Sequence, residues 1–260
     1  MTVIKKLTAL IICITSLCGC LISCVDPNNT GDGDQTPLQS DRYVANISIR
    51  YATNDAKMKG TIDAIGTPTS TLTVDGDDLK IVTTAELKDI STSNEYIYVD
   101  GVLYQAKSLN VSDKSVTLLE RATVGEDQRD SLISKAGPGA AIGIGDFLNF
   151  EINTYGDITE YNCNEMLEDS KESLRQIISK SFDGFGAIVV IQSAVYKLEI
   201  KNDRNHSSVL SCNLVITMDG VDYEVTMHLY YDYNYDAEVS ITAPENADAY
   251  TEVSSDDIIG

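Results

Sequence analysis

One of the six cysteines sits in a context that dictates its chemistry. Cys24 follows Leu21-Ile22-Ser23 at the end of an apolar run. A thiol placed there is positioned to be acylated and then, after cleavage on its N-terminal side, to become residue one of the mature chain. Leu17-Cys18-Gly19-Cys20 offers a second acylation site at Cys20, and that choice would leave Cys24 free. If Cys24 is the acylated residue, Cys13, Cys18 and Cys20 leave with the leader, and Cys163 and Cys212 remain in a compartment where a disulfide persists. Two readings of that pair stay open. In one both are buried reduced thiols. In the other, Cys212 on the dry side of its strand and Cys163 at the start of a covering helix approach bridging distance.

The remaining reactive residue types make no catalytic constellation. His206 lies beside the charged turn 201–205, His228 falls on the wet face of a strand, and no general-base partner accompanies either. Asp232, Asn234 and Asp236 have calcium-loop spacing, but Ala237 and Ala243 stand where a Gly turn and a bidentate Glu are needed. Gly139, Gly143 and Gly145 do not follow a strand of a βαβ unit, which leaves them loop glycines. Gly-x-Ser-x-Gly, His-Glu-x-x-His and Cys/His metal spacings are missing from the sequence. No enzyme, metal or cofactor is therefore expected. Tyr230, Tyr231, Tyr233 and Tyr235 form an aromatic cluster suited to a carbohydrate or a peptide strand, with Tyr231 and Tyr233 inward by alternation.

The elements that position Cys24 begin with Lys5 and Lys6, a short basic region, followed by the apolar run 7–21. This is the order of an export signal, and its last four residues resemble the bacterial lipobox. The run is near the lower limit of about 17 residues for a spanning helix and is interrupted by small and polar residues. Residues 1–23 thus read as a signal peptide. Residues 24–42, with Pro27, Gly31, Gly33 and Pro37 and almost nothing apolar, read as the acylated Cys and a flexible tether. Losing Lys5 and Lys6 takes the 19 basic residues to 17 against 40 acids, a formal charge near −23. Repulsion at that charge disfavours nucleic acid as a partner. Anionic headgroups are disfavoured too, so attachment to the extracytoplasmic face of the cell membrane rests on two or more acyl chains.

About 215 residues remain for folding, enough for one β-domain over 43–250 with an acidic tail at 251–260. Tyr43 to Tyr51 alternates strictly, and alternation recurs at 58–64, 72–74, 79–87, 148–152, 188–200 and 239–243. Turn residues follow each run, predicting an antiparallel sheet with one dry face. Asp100-Gly101 predicts a type I′ hairpin pairing Val99 with Val102 and Ile97 with Tyr104. Both faces of that hairpin are partly apolar, so another segment must cover it. Asp219-Gly220 predicts a hairpin with five apolar pairs from Met218–Val221 to Leu210–Leu229. A short helix is expected near 127–136. The main helix is expected over 164–182, capped by Asn162, with a stripe of Leu167, Leu174, Ile177, Ile178 and Phe182.

The acylated Cys, the tether, Tyr-Ile-Tyr-Val-Asp-Gly-Val-Leu-Tyr at 96–104, one long helix, Met-Asp-Gly at 218–220, Tyr-Asp-Tyr-Asn at 231–234 and Ile-Thr-Ala-Pro-Glu-Asn-Ala at 241–247 together resemble a group of uncharacterised bacterial lipoproteins of the LolA-like or LppX-like superfamily. The resemblance implies a mainly β, α+β half-barrel: a curved antiparallel sheet wrapped around one main helix, with a cavity for acyl chains. It brings no catalytic residues. Two functions follow as expectations. The first is a carrier of a lipid or other hydrophobic ligand, lined by Ile47, Ile49, Ile62, Ile81, Leu214, Val225 and Met227. The second is a non-enzymatic surface interaction or structural module in which that face is filled. Neither a ligand nor a protein partner is identified by the residues themselves.

Overall fold

The computed structural model describes residues 42–87, 90–136 and 142–259. Its elements run β1 (Arg42–Ala52), α1 (Ala56–Ile65), β2 (Thr69–Asp75), β3 (Asp78–Leu87), β4 (Ile90–Val99), β5 (Val102–Val111), β6 (Lys114–Thr123), α2 (Glu126–Ile133), β7 (Phe150–Tyr155), β8 (Ile158–Cys163), α3 (Glu168–Phe182), β9 (Ile188–Lys201), β10 (Arg204–Met218), β11 (Val221–Asn234), β12 (Thr251–Glu252) and α4 (Ser255–Ile259). All twelve strands join one sheet in the order β12-β6-β5-β4-β3-β2-β1-β11-β10-β9-β8-β7. Every neighbouring pair is antiparallel except β12 with β6, so the sheet is mixed.

The hairpin turns follow from local chemistry. Asp100-Gly101 and Asp219-Gly220 both hold positive φ at the two central positions, the geometry of a type I′ turn. Once the β10–β11 turn is set, the pairs Met218–Val221, Ile216–Tyr223, Leu214–Val225, Cys212–Met227 and Leu210–Leu229 fall opposite one another, and a slip of one residue would turn all ten toward water. The pairs Val99–Val102 and Ile97–Tyr104 are likewise in register across β4 and β5.

The expected half-barrel around one main helix is overturned. The sheet is neither closed nor strongly curled, and its inner face is covered by several short elements rather than one. The largest single correction is α1. Residues 58–64 were expected to be a strand because Met58, Gly60, Ile62 and Ala64 alternate, yet Met58, Ile62 and Ile65 also repeat at helical spacing and are its buried residues. Asp55 decides between the two: its carboxylate accepts from the backbone N–H of Lys57 and Met58 at 2.8 and 2.9 Å, so the first turn of a helix is capped.

Four smaller corrections have physical causes. α3 begins at Glu168, not 164. Asn162 belongs to β8 and donates to Glu160 instead of capping, while Leu167 precedes the helix without a side-chain cap. Residues 239–243 are not a strand. They cross the outer face of β4 and β5, where Ile241 packs with Ile97 and Val99, and Tyr250 meets Tyr104 edge-on at 5.4 Å. That crossing supplies the cover that the two-sided hairpin required. The expected tail at 251–260 is in fact part of the fold through residue 259. β12 pairs with β6, and Ile258 and Ile259 are buried in α4.

One core runs along the inner face. The sheet supplies alternate residues of β1–β4 and β8–β11. The helices supply Met58, Ile62 and Ile65 of α1, Leu132 of α2, Leu174, Ile178 and Phe182 of α3, and Ile258 and Ile259 of α4. Phe182 packs edge-on against Tyr51 at 6.0 Å and ties α3 to β1.

Candidate interaction surface

The seven residues expected to line a ligand cavity are brought together, but inside the packed core. Ile47 and Ile49 lie on β1, Ile81 on β3, Leu214 on β10, and Val225 and Met227 on β11, while Ile62 reaches them from α1. None is more than 7% exposed, and all belong to one contiguous apolar cluster. The sequence undercounted what covers them, because α1 read as a strand and α4 as a tail. With those two elements added, the inner face is filled at its centre.

Cys163 and Cys212 are free and buried, so the bridged alternative is excluded. Cys163 sits opposite Tyr196 on β9 and Cys212 opposite Ala194 on the other side of that strand. Two strand spacings of about 4.8 Å already exceed the roughly 7 Å limit between bridged Cα atoms. Burial pushes the Cys163 thiol up to about 11 and the Cys212 thiol up to about 12, the behaviour of inert core thiols. Cys24 and Cys20 lie outside the described residues.

The tyrosines divide as alternation requires. Tyr231, Tyr233 and Tyr235 project inward, with Tyr43 5.8 Å from both Tyr233 and Tyr235. Burial raises the Tyr231 phenol well above its ordinary range, and desolvation, eased by a hydrogen bond to Ser208, pushes Tyr196 up to about 12. Tyr230 points outward under the Arg50 guanidinium at 5.3 Å. On the same outer face, His228 Nδ1 shares a hydrogen bond with the Ser211 hydroxyl at 2.9 Å. The inner tyrosines are core, not a binding platform.

Where β10 and β9 shift register between Asn213 and Leu214, an open cleft of about 330 Å³ is lined by Asn54, Gln192, Asn213, Glu224 and Thr226. The Thr226 hydroxyl donates to the Asn213 side-chain amide oxygen at 3.3 Å and the Asn213 amide nitrogen donates to the Ser193 hydroxyl at 2.9 Å, so part of its polar lining is already paired.

The feature that stands apart is the β7 edge. Phe150 and Ile152 lie opposite Cys163 and Tyr161, both buried, so they belong to the inner, core-facing side of the sheet. Nevertheless Phe150 is 50% exposed and Ile152 51%, and Leu148 and Tyr155 at either end are exposed as well. The only cross-strand aromatic neighbour of Phe150 among the described residues is Tyr161, at 5.9 Å. The strand's starting point is held firmly. The Leu148 N–H donates to the Glu165 carbonyl and the Leu167 N–H to the Asp146 carbonyl, both at 2.8 Å, while the Asp146 carboxylate accepts from Gly143 N–H at 2.8 Å and the Ser170 hydroxyl at 2.6 Å. Phe147 is buried and stacks on Tyr196 at 5.8 Å. These contacts strap the segment before β7 to the start of α3 and present the strand beyond it as a fixed edge.

The opposite end of the sheet is covered in part. There β12 pairs with Glu120 and Arg121 of β6 and α4 packs against the same strand, while Val116 and Leu118 earlier on β6 are 69% and 50% exposed. Exposed backbone donors and acceptors on an edge template further pairing, and covering an edge is one of the ways proteins prevent it. β7 has no such cover among the described residues. Alternation at 148–152 marks this strand in the sequence, with its apolar residues on what should be a dry face. Their exposure follows from strand order, which alternation does not reveal.

No protein-family model and no curated protein matches the chain. Among solved structures it is similar to the ywiB protein from Bacillus subtilis, with 8% identity over 77% of this chain and 98% of that one and a TM-score of 0.21. It is also similar to the dehydratase domain of the polyketide PpsC from Mycobacterium tuberculosis, with 9% identity over 73% and 75% and a TM-score of 0.15. Scores this low carry no argument about fold or activity, and these likenesses do not point to a LolA-like lipoprotein.

Proposed function

We propose that this chain is a lipid-anchored protein of the extracytoplasmic face of the cell membrane, and that its folded domain is a non-enzymatic interaction or structural module. The anchor is assigned to acyl chains on Cys24, on the strength of the basic Lys5-Lys6 start, the apolar run and Leu21-Ile22-Ser23-Cys24. Kinship with uncharacterised bacterial lipoproteins rests on those same residues and on the hairpin sequences at 96–104 and 218–220. No helix among the described residues is long and apolar enough to cross a membrane.

One observation favours a module over a carrier. The seven residues that a ligand cavity would need, Ile47, Ile49, Ile62, Ile81, Leu214, Val225 and Met227, are all at most 7% exposed and packed against helix side chains. A carrier keeps its apolar lining available to ligand. Here that lining is occupied by the chain itself.

Two measurements test the proposal. Metabolic labelling with a fatty-acid probe is expected to label the wild type and not Cys24→Ser, with the variant released from the membrane fraction; undiminished label moves the anchor to Cys20. Titration of the folded protein with a fluorescent acyl probe is expected to show no saturable uptake. Stoichiometric uptake, lost on substitution of one of the seven residues, returns the domain to the carrier reading.

A further inference from the structure

We propose that the open edge of β7 receives an extended peptide segment from another protein, in which aliphatic side chains alternate with Lys or Arg, as an added strand of the sheet. The inference rests on the reading of this domain as an interaction module and gives that module its surface and its partner's chemistry.

The backbone contribution comes from position in the sheet. β7 is terminal, so one side of its main chain offers donors and acceptors that an extended peptide can satisfy. The alternation comes from the side chains. Phe150 and Ile152 face the core side and are half exposed, so every second residue of an added strand would lie beside them and lengthen the apolar face by one strand. The charge comes from what surrounds them. Glu151, between those two residues, is exposed, and its carboxylate makes no hydrogen bond or ion pair among the described residues. The acids across the hairpin have their own partners, Glu160 with Lys197 at 2.5 Å and Asp157 with Lys201 at 3.3 Å, which leaves Glu151 to meet a cation from outside.

Charge also separates this occupant from two others. The chain's own residues 25–41 contain Asp26, Asp32, Asp34 and Asp41, no Lys or Arg, and only Val25 and Leu38 as aliphatics. They match neither the apolar row nor Glu151. A second copy, paired edge to edge, would bring together two chains of formal charge −21 each. A cationic segment gains from the same field, because opposite potentials steer association and like potentials oppose it.

The test uses the full chain in detergent micelles and three fluorescent ten-residue peptides: one alternating Lys and Val, one alternating Glu and Val, and the Lys/Val peptide N-methylated at alternate amides. The Lys/Val peptide is expected to bind saturably and more tightly at low salt than at high salt. It should also slow amide hydrogen exchange in residues 150–155, a readout that needs no variant. The Glu/Val and N-methylated peptides are expected to bind at least about tenfold more weakly. Ile152→Asp, at an exposed position, should lower Lys/Val affinity about tenfold or more with the melting temperature unchanged. Equal binding of Lys/Val and Glu/Val, full binding by the N-methylated peptide, or exchange protection spread over the acidic surface instead of β7 overturns the proposal. So does a dimer in sedimentation that Ile152→Asp dissociates, which assigns the edge to a second copy. The acyl-probe titration that tests the module reading involves the seven core residues and not β7, so the failure of this inference and the failure of that reading are separately visible.

Discussion

The ammonium of Lys135 donates to the backbone carbonyl of Ile259 at 2.7 Å, with Lys135 and Ile259 both buried. This contact joins the end of the α2 region to the last described residue of the chain. It fastens α4 beneath β6 and makes the C-terminal segment a covering element of the sheet.

A chain ending at residue 254 is therefore expected to be markedly less stable. It loses the buried side chains of Ile258 and Ile259, worth about 1.5–3 kcal/mol each, and it also removes an acceptor from a buried cation. For a domain of this size a loss of roughly 3–6 kcal/mol corresponds to a fall of about 6–24 °C in melting temperature. A truncated chain that melts with the full-length protein would show that α4 adds nothing to the core.

α1 makes two predictions of opposite sign. Asp55→Ala removes the cap on Lys57 and Met58 N–H and should cost about 1 kcal/mol in urea denaturation. Gly60→Ala should stabilise by about 0.5–1 kcal/mol, because Gly60 is exposed in mid-helix with nothing within 4 Å of an added Cβ. Gly60→Ala would stabilise a strand as well, so it is the loss on Asp55→Ala, whose carboxylate would cap nothing in a strand, that marks residues 56–65 as a helix.

Residues 56–65 show what alternation can and cannot decide. Leu210 to Leu229 was legible to the residue, because ten alternating apolar positions and a two-residue Asp219-Gly220 turn admit one register. Residues 58–64 satisfied period 2 through Gly60 and Ala64, neither of which carries much apolar surface, while Met58, Ile62 and Ile65 satisfied the helical period with large side chains. Weighting by side-chain size and noticing Asp55 would have favoured the helix. Val239 and Ile241 alternated too, yet their destination was set by an uncovered outer face on β4 and β5, a tertiary demand that the segment itself does not encode. The β7 edge was hidden for the same reason, since which strands end a sheet depends on the pairing of all twelve.

High pH should unfold the domain through its buried acids. The folded-state values of Cys163 and Cys212, about 11 and about 12, lie above the ordinary thiol value of 9.0, and burial pushes Tyr51 and Tyr196 up to about 12 from 10.0. For a group raised in the folded state, the stability it confers is fully present below its unfolded value and is lost as pH rises through the folded one. Stability is thus expected to be insensitive to these groups up to about pH 9 and to fall between about pH 9 and 12. Denaturant midpoints across that range check the trend. In a chain starting at residue 24 and carrying Cys24→Ser, both remaining thiols should be unreactive toward a disulfide reagent at pH 8 until the protein is unfolded. Fast reaction of either thiol in the native state contradicts their burial.

The inner face is filled at its centre and open at β7, and paired aspartate substitutions distinguish the two environments. Ile81 is fully buried between Leu72 and Tyr96, whereas Ile152 is 51% exposed on the same face of the sheet. A carboxylate at Ile81 has no partner and no water, a cost of several kcal/mol, so Ile81→Asp is predicted to unfold the domain or lower its melting temperature by about 10 °C or more. Ile152→Asp is predicted to leave it unchanged within about 2 °C. A folded Ile81→Asp protein with a near-normal melting temperature would contradict a filled centre, since it would mean that water or a ligand already reaches the middle of the face.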